Sequence, residues 1–286
     1  MPVLRSTALI DAAPRTVAGL LREVRLSEQA LHRLGHRVEA DVALLAPGDR
    51  LRVGVALLPG VRLAVTLEVD AVSEAGLRLT LGTGPLPELV RSFTITSTAA
   101  GTLVLDELRW TAPGGWLGRL ADVVIGRRLV LRVQAATLDA LARRATALAA
   151  DPVVVATALH RDGRVLIGQR ARPPALAGRW ELPGGRVEPG ESEVDAVRRE
   201  CAEELAVPVT VTGRIGTDLP IGTAVLRVHT ATLAPGAPEP RAVEHTRLRW
   251  VPATELDGVD WVDADRAVVA DLVALLGEPS RAQPRA

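Results

Sequence analysis

Lysine is absent from all 286 residues, so the 34 basic side chains are all arginine. That absence removes a Walker-type phosphate loop, a Schiff-base lysine and a lysine general base from the available chemistry. Any phosphate must be held by arginine, by backbone N–H groups or through a metal. Tyrosine is missing too, and the single cysteine, Cys201, excludes an internal disulfide and a cysteine-built zinc site. The arginines are balanced by 34 acidic residues, so no basic field for nucleic acid and no acidic tail is present. The opening MPVLRSTALIDAAPRTV lacks the apolar core of a signal peptide, and no apolar run reaches membrane-span length. A soluble, cytoplasmic chain is expected, with neither nucleic acid nor membrane as partner.

What is present is 48 % hydrophobic residue content, ample for packed cores, in a chain long enough for two domains. Residues 1–148 open with an alternating run, Val3–Ile10, then two helical stretches around Pro14–Leu21 and Glu28–Leu34. Period-two segments follow at Val38–Leu45, Asp49–Leu57, Val61–Val69, Leu77–Leu81, Ser92–Ser97 and Thr102–Trp110, separated by turn residues as an antiparallel meander requires. A long amphipathic run from about Leu117 to Leu148 closes this part, with the turn Pro113–Gly115 at its start. This order resembles the helix-grip fold of START-like (SRPBCC, polyketide-cyclase type) proteins, in which a curved antiparallel sheet wraps a C-terminal helix. The resemblance implies either a cavity for an apolar small ligand or a self-filled domain acting as scaffold or homodimer surface. His32 and His36 share an i, i+4 spacing able to bind metal, but no acidic third ligand accompanies them and a metal site is the weaker reading.

Pro152 marks a boundary, and residues 152–276 form the second expected domain, ahead of a polar tail at 277–286. Strands are expected at Val153–Leu159 and Arg164–Gln169 around an Arg161–Gly163 turn, then near Val209–Ile215, Ala224–Leu233 and His245–Val251, with a final helix near Ala264–Leu276. Between them, Gly185–Val207 (GRVEPGESEVDAVRRECAEELAV) carries seven acidic residues. Ser192–Asp195 fits a helix-starting capping box with Asp in the Glu position. At helical spacing Val194, Val197, Cys201 and Leu205 form a core stripe about 80° wide, flanked by Glu200, Glu203 and Glu204 within roughly another 100°. Like charges stacked this way repel. Converging hard oxygens on a rigid element suit Mg²⁺ or, alternatively, Mn²⁺, which would remove the repulsion.

These residues are similar to the Nudix hydrolase signature, G-x5-E-x7-R-E-U-x-E-E-x-G-U. Gly185, Glu191, Arg199, Glu200, Glu203, Glu204 and Val207 are in register; Cys201 replaces an aliphatic residue and Ala206 the last glycine. The resemblance implies an α/β/α sandwich with a mixed sheet, making the whole chain an α+β protein of two domains. It implies hydrolysis of a nucleoside diphosphate derivative, with Glu200, Glu203, Glu204 and the Gly184 carbonyl as metal ligands. Glu191 would pair with Arg199 and leave the ligand carboxylates free. Glu203, or else Glu200, would deprotonate the attacking water. Glu244, just before the last strand, is a further candidate ligand; His245 beside it is read first as a solvated or packing residue. MutT-like members place a phosphate-binding arginine where Arg170 stands, an acid near the metal where Glu181 stands, and a base-reading Asn or Asp near Asp265, with Asp263 as the alternate. Trp180 is read as a core residue. Short loops point to a nucleoside triphosphate pyrophosphohydrolase acting on CTP, dCTP derivatives or oxidised dGTP. An ADP-ribose hydrolase and a non-catalytic nucleotide sensor are the alternatives.

Overall fold

The computed structural model describes residues 2–58, 61–111 and 126–277. It divides between Asp151 and Pro152 into two compact units, Thr217–Pro220 grouping with the first.

In the first unit the alternating segments form seven antiparallel strands: β1 (Val3–Ile10), β2 (Arg37–Glu39), β3 (Arg50–Leu58), β4 (Val61–Ser73), β5 (Gly76–Thr83), β6 (Glu88–Thr98) and β7 (Gly101–Thr111). Their spatial order is β1-β7-β6-β5-β4-β3-β2, a meander closed by the pairing of the first strand with the last. The sheet curls into a half-barrel, and register shifts at Ala56/Leu58, Thr66/Leu67 and Val69/Ala71 mark where its strands bend. Helices α1 (Pro14–Leu21) and α2 (Val24–His32) bridge β1 and β2. The long helix α3 (Arg127–Leu148) packs on α1, α2, β1 and β7.

Side chains facing α3 include charged ones. Arg91 forks onto Asp106 at 3.1 and 2.6 Å and also reaches Thr137 Oγ1 at 3.0 Å. Gln134 of α3 donates to the Asp106 carbonyl at 2.8 Å and accepts from Ser6 at 3.0 Å. A buried ion pair is tolerable only when hydrogen-bonded in this way.

Two sequence expectations shift here. The segment Val38–Leu45 is a strand only over Arg37–Glu39. Beyond it the Ala43 carbonyl accepts from Val24 N–H, and Leu45 exchanges hydrogen bonds with Arg22, so the chain docks on the α1–α2 junction instead of extending the ladder. His36 lies past the end of α2, its Nδ1 accepting from Ala56 N–H at 3.0 Å, so it shares no helical face with His32. The described part of the long helix starts at Arg127, and the Pro113–Gly115 turn lies outside the described residues.

The second unit is a mixed sheet of β8 (Val153–Arg161), β9 (Arg164–Gln169), β10 (Trp180–Glu181), β11 (Gly184–Arg186), β12 (Val209–Ile221), β13 (Ala224–Leu233) and β14 (Arg247–Pro252). β13 runs parallel to β8, whereas β11 is antiparallel to β8 and β10 and β14 are antiparallel to β9. Helix α4 (Glu193–Leu205) buries Ala196, Val197, Cys201 and Leu205 against Val155, Leu159 and Leu166. Val194, expected in that stripe, is only half-buried. The expected last helix is broken into α5 (Asp263–Arg266) and α6 (Val269–Gly277). The Ala267 and Val268 N–H groups bond three residues back, to Ala264 and Asp265, and that tighter turn ends the first piece. No described helix is long and apolar enough to cross a membrane.

Candidate active site

Helix α4 starts where its sequence says it should. Ser192 caps it, accepting from Asp195 N–H at 3.1 Å and donating its hydroxyl to the Asp195 carboxylate at 2.7 Å. At the other end Ala206 adopts the left-handed conformation (φ 56°, ψ 35°) that glycine would take without cost, with its N–H on the Ala202 carbonyl at 3.2 Å. The loop before β14 completes this terminus, since Arg241 and Val243 donate N–H bonds to the Leu205 and Glu204 carbonyls at 2.9 and 3.0 Å. Two residues of the loop are thereby tethered to the carboxylate-bearing turn, and Glu244 directly follows the second of them.

Arg199 organises the acidic face. Its guanidinium forks onto Glu191 at 3.0 and 3.1 Å and takes the Arg186 carbonyl at 2.9 Å. The same group reaches Glu200 at 2.9 Å and Glu203 at 3.1 Å. Glu191 pairs with Arg199 as expected, but Glu200 and Glu203 are not left free, because the nearest cation to three crowded carboxylates is this one. The Arg199 hydrogen bonds hold the Glu191 carboxyl below its usual range, with the Glu188 N–H helping.

Glu204 turns inward and accepts from Gly184 N–H at 2.9 Å. Burial pushes its carboxyl up to about 7 against the opposing His245 charge and the Gly184 N–H, with Glu200 and Glu181 adding to the rise. Glu200 is also raised, first by burial, with Arg199 opposing and Glu203 and Glu244 contributing. Exposed Glu244 therefore lies within electrostatic reach of Glu200. A Cβ at Gly185 would stand 2.1 Å from Glu200 Oε1, so glycine there leaves the Glu200 carboxylate in place. At Gly184 a Cβ would meet the Val155 carbonyl at 2.1 Å.

Among the described residues no three His, Cys, Asp or Glu side chains stand together as a ready metal cage. The donor chemistry nevertheless fits a hard dication. All candidates are carboxylate or carbonyl oxygens, Glu200 and Glu204 are partly desolvated and mutually repelling, and the glycine pair leaves the oxygens room.

A second cluster lies at the ends of β9 and β10. Arg170 pairs with Glu181 through Nη1 and Oε2, and the other Glu181 oxygen faces His245 Nε2 at 3.3 Å. Asp265 is buried and accepts from Leu182 N–H at 3.1 Å. Burial lifts its carboxyl to about 7, opposed by the Leu182 N–H, with Glu181 raising and Arg170 lowering it. Neither Asp265 nor Asp263 caps α5, whose cap position is Val262. Asp263 is exposed and pairs with Arg179 at 2.8 Å, away from Glu181. Trp180 is half-buried with the Arg247 guanidinium 5.9 Å above its ring, while Trp261 fills the core.

The structure thus brings Glu200, Glu203, Glu204, Gly184, Gly185, Glu191 and Arg199 together around one helix, and Arg170, Glu181 and Asp265 around the adjoining strand ends. Sequence reading took His245 first as a solvated or packing residue and did not find its link to Glu181. Its adjacency to Glu244 and its place ahead of β14 were the only signals.

A NUDIX domain model matches residues 150–272. A Mycobacterium tuberculosis protein whose name includes "8-oxo-dGTP diphosphatase 2" is 52 % identical over 128 residues, covering 43 % of this chain and 89 % of that protein. The Escherichia coli CTP pyrophosphohydrolase is 48 % identical over 58 residues, 20 % of this chain and 43 % of that protein. The solution structure of the E. coli ORF135 protein matches with 30 % identity and a TM-score of 0.40, covering 46 % of this chain and 94 % of that one.

Proposed function

The chain belongs to the Nudix hydrolase family through residues 150–272, and from that premise we propose that it cleaves a nucleoside triphosphate to the monophosphate and pyrophosphate. The observation that carries this reading is the fit of Gly185 against Glu200, with Arg199 tying Glu191, Glu200 and Glu203 into one rigid acidic face beside the Arg170–Glu181 pair. That arrangement offers oxygens for a cation and an arginine for phosphate on neighbouring elements, the two requirements of phosphoryl transfer.

Glu200, Glu203, Glu204, the Gly184 carbonyl and Glu244 are the groups that would hold Mg²⁺, or Mn²⁺ in its place. Such a cation supplies charge neutralisation along the phosphate chain and a Lewis acid at phosphorus. Arg170 contacts the phosphates, in the role that a chain without lysine must give to arginine. Glu203, exposed at the edge of the face, takes the proton of the attacking water, with Glu200 as the alternative base. Glu181 stays beside Arg170 near the metal groups, and Asp265 serves the base end of the substrate. A carboxyl raised to about 7, as Asp265 is, can serve as donor or acceptor toward a base edge. The names of the two relatives support oxidised dGTP and CTP-like nucleotides as the substrates to try first.

For the first unit we keep the helix-grip reading. Its support is the packing of α3 on β1 and β7 through Gln134, with Thr137 accepting from Arg91 of β6.

The test is a panel of CTP, dCTP, dGTP, 8-oxo-dGTP and ADP-ribose with Mg²⁺ and full-length protein, with products identified by ³¹P NMR. Pyrophosphate and a nucleoside monophosphate are expected. Orthophosphate release sinks the triphosphate assignment, preferential ADP-ribose cleavage replaces it, and binding without turnover of any nucleotide makes the protein a sensor.

A further inference from the structure

His245 does more than fill space, and its surroundings say what. Both sides of its backbone are tethered to different elements. Val243 N–H bonds the Glu204 carbonyl on α4 at 3.0 Å, and Thr246 N–H bonds the Gln169 carbonyl on β9 at 2.9 Å. The ring packs against Gly168, where a Cβ would come within 2.4 Å of His245 Cδ2. Only 8 % of the residue is exposed. Its Nε2 faces Glu181 Oε1 at 3.3 Å, and Glu181 holds Arg170 with its remaining oxygen. Its Nδ1 is buried without a hydrogen-bond partner.

The unpartnered nitrogen decides between packing and positioning. A leucine or phenylalanine could fill the space over Gly168 without burying a polar atom, and an unsatisfied buried nitrogen is unfavourable. An imidazole is worth that penalty only for what its other nitrogen does. Facing a carboxylate, Nε2 carries the hydrogen and donates it.

We propose that His245 is a positioning residue: it fixes Glu181, and through Glu181 it aims Arg170, so that the substrate-facing pair is held in register with the carboxylates of α4. The relay runs from His245 Nε2–H to Glu181 Oε1 and from Arg170 Nη1–H to Glu181 Oε2, and it is clasped to α4 and β9 by the flanking N–H bonds. This deepens the hydrolase reading above and rests on it for the direction of the kinetic effect. Arg170 and Glu181 act on bound substrate before any bond breaks, so loosening them weakens binding more than chemistry.

Two measurements on the full-length chain test it. In the first, His245→Leu should raise KM about tenfold or more, with a much smaller change in kcat. His245→Gln, which can return an N–H near the Nε2 position, should recover most of that loss. Adding His245→Leu to Glu181→Gln should cost nothing further, since both cut one relay. A kcat loss with unchanged KM, no recovery in the glutamine variant, or additive losses would overturn the proposal.

The second measurement needs neither turnover nor a folded leucine variant. In ¹⁵N-labelled protein the His245 Nε2–H signal should be present and protected from exchange, and should lose that protection in Glu181→Ala. Absence of the signal, or its indifference to Glu181→Ala, overturns the proposal. Wild-type protein that turns over no nucleotide would sink the hydrolase reading alone and leave this spectrum to judge the relay.

Discussion

Ala206 is one of two non-glycine residues among those described that adopt positive φ, the other being Asp162 in a hairpin turn. An alanine Cβ in the left-handed region is strained by roughly 1 kcal/mol or a little more, while glycine costs some unfolded-state entropy in return. Ala206→Gly should therefore raise stability by up to about 1 kcal/mol, read as a higher urea midpoint at unchanged slope. Turnover should stay the same, because Ala206 lies past the carboxylates.

Asp265 makes the opposite kind of prediction. Its folded pKa of about 7 lies above its ordinary value of 3.8. The folded state thus holds the proton more tightly than the unfolded chain, and stability falls as pH rises from about 4 to about 7. Asp265→Asn keeps an oxygen for Leu182 N–H and cannot ionise. The variant should melt above wild type at pH 8 and level with it near pH 4. A lower melting temperature than wild type at pH 8 would contradict the buried-carboxyl account. Both residues show what sequence can carry at this scale. The departure at Ala206 was visible as a missing glycine, whereas the burial of Asp265 depended on which backbone N–H it would meet.

At the scale of elements, α4 was legible because few solutions explain its pattern. An apolar stripe fixes its inner face, Ser192 fixes its start, and stacked carboxylates need a partner. Removing the cap by Ser192→Ala should lower stability by about 1 kcal/mol, seen as a lower urea midpoint in the full chain. No change would mean that neither hydrogen bond of the Ser192 hydroxyl sets the helix start. Elsewhere the elements were less readable. Residues 40–45 alternate like a strand, yet Ala43 and Leu45 spend their backbone groups on Val24 and Arg22, a choice only tertiary contact could make. The break between α5 and α6 has no proline or glycine to announce it. It follows from the short turn over Ala267 and Val268, whose side chains are buried. The tether from Arg241 and Val243 to the end of α4 joins distant segments through backbone atoms and leaves no trace in side-chain pattern.

For the whole molecule, composition set the frame. A chain without lysine has only arginine as a strong side-chain cation, and here Arg170 pairs with Glu181 while Arg199 ties Glu191 to the acidic face. Period-two segments gave the first unit's meander, but not the buried Arg91–Asp106 pair facing α3, since sequence shows alternation and not which polar residues turn inward. The acidic helix identified the second unit because its residues contribute chemistry and packing at once. The central claim is that this face holds a dication and carries out nucleotide hydrolysis.

The most direct measurement compares Mg²⁺-dependent nucleotide turnover by wild type and Glu204→Gln, with folding of both checked by circular dichroism. Glutamine keeps an oxygen for Gly184 N–H and removes only the charge. The account predicts turnover in wild type that stops with EDTA, and a loss on the order of a hundredfold or more in the folded variant. Equal turnover by the two proteins, or wild-type turnover indifferent to EDTA, would contradict it.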